Sequence, residues 1–349
     1  MRRDEVTVGP ELVGARALRA WITGEQEEHS RVFLVESGAA VDGVEGVAGR
    51  DDVILLPRES GAYEGPARTV RYSGALHEVG DELFFGERGV ELQDYIAASF
   101  VQIIGPTAVR FFDGSSWQAF LDDAELARRT GVFPSALIDP RVLLADRTAV
   151  ATPDEVRTPS ALRLTRDGGV GIGVQGGIIG DVDELPALLS VRLPRIAALR
   201  GVGPTDALAS DLRARDWLGR YLAATDLMKM LRLANGAAQL SGFGCSLFDD
   251  GHSDAEPLTA DPFLLETADG FVLADTTTLR RQLLSPVTAE VVAVTQTSSS
   301  TEFAAQRVAR RLGMSTSDAH ALCVEALAAL SIHVGRRADA VGATNGVER

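Results

Sequence analysis

Lysine occurs once in this chain, as Lys229, and cysteine twice, as Cys245 and Cys323. Two cysteines build neither a disulfide framework nor a four-ligand structural zinc site. The one lysine is the only candidate for a pyridoxal Schiff base. It sits in the helical run Asp226–Leu231, where a lysine ordinarily snorkels to water. Met228 rather than glycine precedes it, so no Walker A loop exists. The five histidines, His29, His77, His252, His320 and His333, show no metal-ligand spacing. No uncharged apolar run reaches the roughly 18 residues of a membrane span. Glu11, Arg16 and Arg19 break up any signal-peptide core after the N-terminal Met-Arg-Arg. Basic residues are also short, 34 against 49 acidic, which leaves a net charge of −15. That sign opposes binding to phosphate backbones and anionic lipid. The expectation is a cytoplasmic protein with no cofactor, no metal, no membrane contact and no nucleic-acid partner.

A chain of 349 residues, 45% hydrophobic and 24% charged, has a globular balance and length for two or three domains. Residues 1–150 read as an α/β or α+β domain of unassigned fold. Arg31–Glu36, Asp52–Leu56 and Thr69–Tyr72 are strand-like, and Ser116–Thr130 is helical with Gly131 as its stop. Residues 151–250 form a strand-then-helix region that either continues this domain or stands apart, its helix running Asp211–Ala234. Gly171-x-Gly173-x-x-Gly176 matches the dinucleotide fingerprint, yet Gly177, Ile178, Ile179 and Gly180 are poor helix material, so a β-hairpin is the expectation. Cys245 has no local activating group and reads as a small buried residue. Residues 251–261 are acidic without apolar period and read as a linker. Residues 338–349 read as a disordered tail.

Residues 262–337 are better punctuated. Phe263–Thr267 and Phe271–Asp275 flank a turn and predict a hairpin, with Thr277–Leu284 as a third strand. Ser285-Pro286 opens a helix, Ser299-x-x-Glu302 a second one closed by Gly313, and Ser315-x-x-Asp318 a third running to about Val334. On the third helix, Ala319, Leu322, Cys323, Ala326, Leu327 and Leu330 share an arc of about 140° and form its core face. The adjoining flank carries His320, Val324, Ala328 and Ser331, and Glu325 is the only residue among Asp, Glu, Lys and Arg from Ala319 to Val334. The order βββ-ααα is that of a winged-helix-like unit. A DNA-reading helix would carry Arg, Lys, Asn or Gln, and this one carries none over that span.

The patterns FLLETADGFVLAD, LLSPVTAEVVAVTQ and STEFAAQRVARRLGMSTSDAHALCVEALAAL resemble the recognition elements of ribosomally made, post-translationally modified peptide (RiPP) pathways, in the manner of the pyrroloquinoline-quinone peptide chaperone. The whole length, a large N-terminal portion fused to such an element, resembles the daptide-pathway RiPP recognition proteins. The chain departs from the pattern in its tail after Gly335 and in Arg280-Arg281 within the strand. The resemblance implies a non-catalytic protein that binds a precursor leader peptide as an added strand. Its implied peptide-binding residues are Thr277, Thr278, Leu279, Arg280, Arg281 and Leu283 on the strand, and His320, Val324, Ala328 and Ser331 on the helix. Implied partners are the precursor and its modifying dehydrogenase, aminotransferase and methyltransferase. The competing expectations are a nicotinamide-dependent oxidoreductase subunit and a winged-helix DNA-binding regulator.

Overall fold

Pro10 at the first helical position and Gly24, left-handed at φ 74°, bracket helix α1 (Pro10–Thr23). Val13, Ala17, Leu18, Trp21 and Ile22 bury one side of it, while Glu11, Arg16 and Arg19 fall on the exposed side. The structure, a computed structural model, describes residues 9–26, 28–244, 247–248 and 251–337. The expected tail at 338–349, Cys245, Asp249 and Asp250 lie outside the described residues.

Strands follow at β1 (Val32–Val35), β2 (Val53–Pro57), β3 (Arg68–Gly74), β4 (Glu82–Phe85), β5 (Arg88–Asp94), β6 (Thr107–Arg110), β7 (Val142–Leu144), the two-residue β8 (Val156–Arg157), β9 (Ala161–Leu164), β10 (Gly169–Ile172), β11 (Ile178–Asp181) and the two-residue β12 (Leu193–Pro194). Between and after them come α2 (Asp42–Glu45), α3 (Gly114–Thr130), α4 (Ser135–Ile138), α5 (Arg147–Ala151), α6 (Leu185–Leu188), α7 (Thr205–Arg213) and α8 (Leu218–Leu231). Ten strands make one mixed sheet in the order β11-β10-β9-β1-β2-β3-β4-β5-β6-β7, and β8 pairs with β12 apart from it. The strands β9, β1, β2 and β3 are parallel, as are β5, β6 and β7. Unbroken apolar runs such as VFLV and VILLP suit strands covered on both faces. Val32, Leu34, Val53 and Leu55 pack with α1; Phe33, Val35, Ile54 and Leu56 pack with Val44, Leu185 and Leu189.

The chain is mixed α+β and divides into two compact units. One unit takes in the chain up to Asp122 together with Asp139–Gly219; the other takes in Asp123–Ile138 together with the chain from Arg220 onward. The stretch Thr152–Pro159, with prolines at 153 and 159 just after residue 150, is no boundary, because β9 and β10 belong to the same sheet as β1. The helix expected over Asp211–Ala234 is two helices, α7 and α8, parted by a turn at 214–217.

The far end of the sheet meets its beginning at one carboxylate. Asp146, just past β7 and left-handed at φ 50°, accepts hydrogen bonds from the backbone N–H of Val174 and Gln175, just past β10. The Gln175 side chain closes the junction, accepting from the Phe111 N–H and donating to the Ala145 carbonyl. Gly173 is required here: a Cβ would stand 2.0 Å from Asp146 Oδ1. The Gly171–Gly176 run is thus a hairpin turn built around a buried carboxylate, and no helix N-terminus follows it. A cleft of about 70 Å³ beside Asp146 and Gly173 has room for a few waters, far short of a dinucleotide site.

Burial pushes the Asp146 carboxyl up from 3.8 to about 7, against the opposing hydrogen bonds from Gln175 and Val174. The folded state therefore holds a proton that the unfolded chain releases near pH 4. The resulting stability is full below that pH and is lost as the pH rises through 7. The shift corresponds to about 4 kcal/mol across the window. Asp146→Asn is expected to abolish this slope. Urea unfolding at several pH values between about 4 and 7.5 checks it. Tryptophan emission reports the right unit, since Trp21, Trp117 and Trp217 all belong to it. A variant whose pH slope matches the parent's would show that Asp146 does not titrate in that window.

The second unit holds β13 (Ala238–Leu240), β14 (Phe263–Thr267), β15 (Gly270–Ala274) and β16 (Arg281–Leu284) in one antiparallel sheet of that order, then α9 (Pro286–Gln296), α10 (Thr301–Leu312) and α11 (Thr316–Leu330). The Ser285 hydroxyl caps α9 at the Thr288 N–H, and Ser315 caps α11 at the Asp318 N–H. The α10 cap is Ser300 rather than Ser299, because Asp254 takes both the N–H and the hydroxyl of Ser299. Ala319, Cys323 and Ala326 are buried, with Leu322, Leu327 and Leu330 packed beside them, so the core arc of α11 is the expected one.

The acidic stretch 251–261 is no linker. Ala255 is buried, Glu256 pairs main chain to main chain with Arg336, and Asp261 is buried against His333. Its charges mark partners on other segments, not solvation. Residues 123–138 also belong here: Arg128 pairs with Glu256, Asn235 brackets the Phe133 backbone, and Phe133 stacks with Tyr221 at 5.9 Å.

Candidate functional site

The edge of the second unit's sheet is set by alternation. Asp275 N–H donates to the Arg280 carbonyl, and the register runs on through Ala274↔Arg281, Leu273↔Gln282, Val272↔Leu283 and Phe271↔Leu284. Hydrogen-bonded and non-bonded pairs alternate in an antiparallel ladder. Arg280, Gln282 and Leu284 therefore direct their main-chain groups at β15, while Arg281 and Leu283 direct theirs outward. Among the described residues β16 has no neighbour on that side. The edge offers the N–H and C=O of Arg281 and Leu283 to an added strand.

The strand is shorter than Thr277–Leu284. Asp275 accepts from the N–H groups of Thr277 and Thr278 and from the Thr278 hydroxyl, which winds the chain into a turn. Burial pushes the Asp275 carboxyl up, but these hydrogen bonds outweigh it and hold it below its ordinary value. Leu279 is left-handed, at φ 57°. Thr277, Thr278, Leu279 and Arg280 consequently belong to the turn, and Arg281 and Leu283 alone of the six candidates lie in the ladder.

All six are exposed, as are His320, Val324, Ala328 and Ser331 on α11. Leu283 is 75% exposed and Val324 46%. These two groups of side chains do not share one face of the sheet. Leu284 packs with Leu273 and the helical core, so Gln282 and Leu284 face the helices and Arg281 and Leu283 face away. Gln282 is the strand residue on the helix side, and the period-2 rule applied backward from Leu284 would have found it. Val287, in the first turn of α9, is exposed as well, whereas Val291 and Val294 on the same helix are buried. Ser331 ends α11 in the left-handed region, at φ 53°.

Two groups that could suggest other chemistry are structural. Arg307, on α10, is buried and donates to the Thr297 carbonyl and hydroxyl and the Ser298 hydroxyl at the end of α9. Cys323 is buried in the helical core, and burial pushes its thiol up, away from reactivity.

Compared with protein-family models, with curated proteins and with solved structures, the chain finds no match.

Proposed function

We propose that this chain is a non-catalytic recognition protein of a RiPP pathway of the daptide type, which binds the leader of a ribosomal precursor by strand addition at β16 and presents it to modifying enzymes. The observation that carries this reading is the open edge of β16, where the outward main-chain groups of Arg281 and Leu283 stand beside an uncovered Leu283 side chain. An extended peptide gains affinity from main-chain bonds at such an edge and specificity from alternate side chains. The order β14-β15-β16-α9-α10-α11 supports a winged-helix-like reading of this part. The uncharged flank of α11 supplies apolar surface for the ligand.

The first unit, in this reading, docks a modifying enzyme. Its support is the loop between β5 and β6, where Phe100 is 85% and Ile104 79% exposed, with Val101 beside them. Large apolar side chains grouped on a surface mark contact sites. One reconstituted experiment separates the two roles, with a labelled leader and its precursor as substrates. Val324→Asp sets a carboxylate against an apolar ligand and should weaken leader binding by at least tenfold. Phe100→Ser with Ile104→Ser should leave leader binding unchanged and lower the rate of modification. Leader binding indifferent to Val324→Asp would remove α11 from the site, and an unaltered rate in the double variant would remove the docking loop.

A further inference from the structure

The face of β16 that carries Arg281 and Leu283 has a chemical pattern of its own. The residue opposite Arg281 on β15 is Ala274, and the residue opposite Leu283 is Val272. No carboxylate is a cross-strand neighbour of Arg281, and it forms no ion pair among the described residues. In a chain of net charge −15, an exposed arginine on an open strand edge is an unmatched cation. Two residues on, Leu283 lies exposed beside the half-buried Val272, so an apolar strip runs next to the charge.

Resting on the peptide-binding proposal above, we infer that the peptide recognised at this edge carries an acidic residue two positions from an aliphatic one. Ligand residues opposite Arg281 and Leu283 are two apart and present their side chains on the same face. Cross-strand partners bring their Cβ atoms to about 5 Å, close enough for a carboxylate to meet the Arg281 guanidinium. The aliphatic residue covers Leu283 and Val272. The spacing is the same whether the added strand runs parallel or antiparallel; only the order of the two residues along the peptide reverses. The ligand residue between them faces the helix side, beside Gln282. Arg281 thus selects by charge, and the outward main-chain groups of Arg281 and Leu283 hold the peptide in register.

The test uses the full chain and a displayed library of random peptides about 12 residues long as its probe, selected in parallel on the parent and on Arg281→Glu. Peptides enriched on the parent should share an acidic residue two positions from Val, Ile or Leu. Their affinity should fall about tenfold on Arg281→Glu, and selection on that variant should replace the acid with Lys or Arg. Peptides that lose affinity on Leu283→Pro, yet show no acidic preference and bind Arg281→Glu as they bind the parent, would overturn the charge pairing and leave strand addition standing. Failure to enrich any peptide on either protein would overturn both.

Discussion

Arg220→Ala is expected to destabilise the second unit by about 3–5 kcal/mol, the cost of stranding buried acceptors around a lost charge. Arg220 begins the long C-terminal stretch of that unit and is itself buried. Its guanidinium donates to the Leu258 and Asp261 carbonyls and to the Ser241 hydroxyl, and lies 4.1 Å over the Phe263 ring. One side chain therefore ties α8 to the stretch before β14 and to the sheet. Burial lowers its pKa to about 10, with Asp261 pulling the other way, so the charge persists at neutral pH. Arg220→Lys keeps the charge and one nitrogen for the two carbonyls, but loses the second nitrogen that donates to Ser241 and the flat guanidinium over Phe263, and should fall between alanine and the parent. Denaturant unfolding followed by far-ultraviolet circular dichroism measures both variants. A loss below about 1 kcal/mol for alanine would mean that water replaces the guanidinium at these acceptors.

Leu283→Pro should weaken binding of a leader peptide by about 100-fold while leaving the β15–β16 ladder intact. Leu283 faces its N–H outward, so proline removes a donor that β15 does not use, and its ring obstructs an incoming strand. The loss corresponds to about 3 kcal/mol of binding energy. Leu283→Ala, which removes the side chain and keeps the donor, should cost far less. Position 279, inside the longer strand the residue pattern suggests, cannot serve for this experiment. Its φ of 57° is closed to proline, and the substitution would break the turn rather than block the edge. Titration of a fluorescent leader into each variant, with circular dichroism as the folding control, decides the matter. Equal affinity for Leu283→Pro and the parent would move the peptide site away from β16.

The elements read correctly from sequence are those whose signals are local. Ser285-Pro286 and Ser315-x-x-Asp318 cap helices because a side chain three residues from an orphan N–H needs no tertiary help. Gly131 and Gly313 stop helices for an equally local reason, their left-handed φ. The core arc of α11 follows from helical period alone. Reading failed where a distant residue decides. Asp254 holds Ser299 and moves a helix start by one residue; Asp275 starts a turn that takes four residues out of a strand. Acidity at 251–261 suggests solvation, whereas Glu256 and Asp261 are matched by Arg128 and His333, 128 and 72 positions away. Of the candidate site, the edge strand was legible. The division of its side chains between two faces needed the packing of Leu284 to fix it.

The chain enters the second unit at Asp123, leaves it at Ile138 and returns at Arg220. No single cut therefore releases either unit whole, and a fragment beginning near 251 would lack Phe133, Arg220 and β13. The same threading orders events during synthesis. Residues 123–138 emerge from the ribosome more than 80 positions ahead of Arg220, and further still ahead of the strands and helices they join. At roughly 5–20 residues per second, the apolar side of that segment, with Phe133 and Leu137, waits from several seconds to tens of seconds for its partners. The first unit receives Asp139–Gly219 during that wait. A nascent chain stalled in this interval is the state in which the protein is most open to capture by a chaperone.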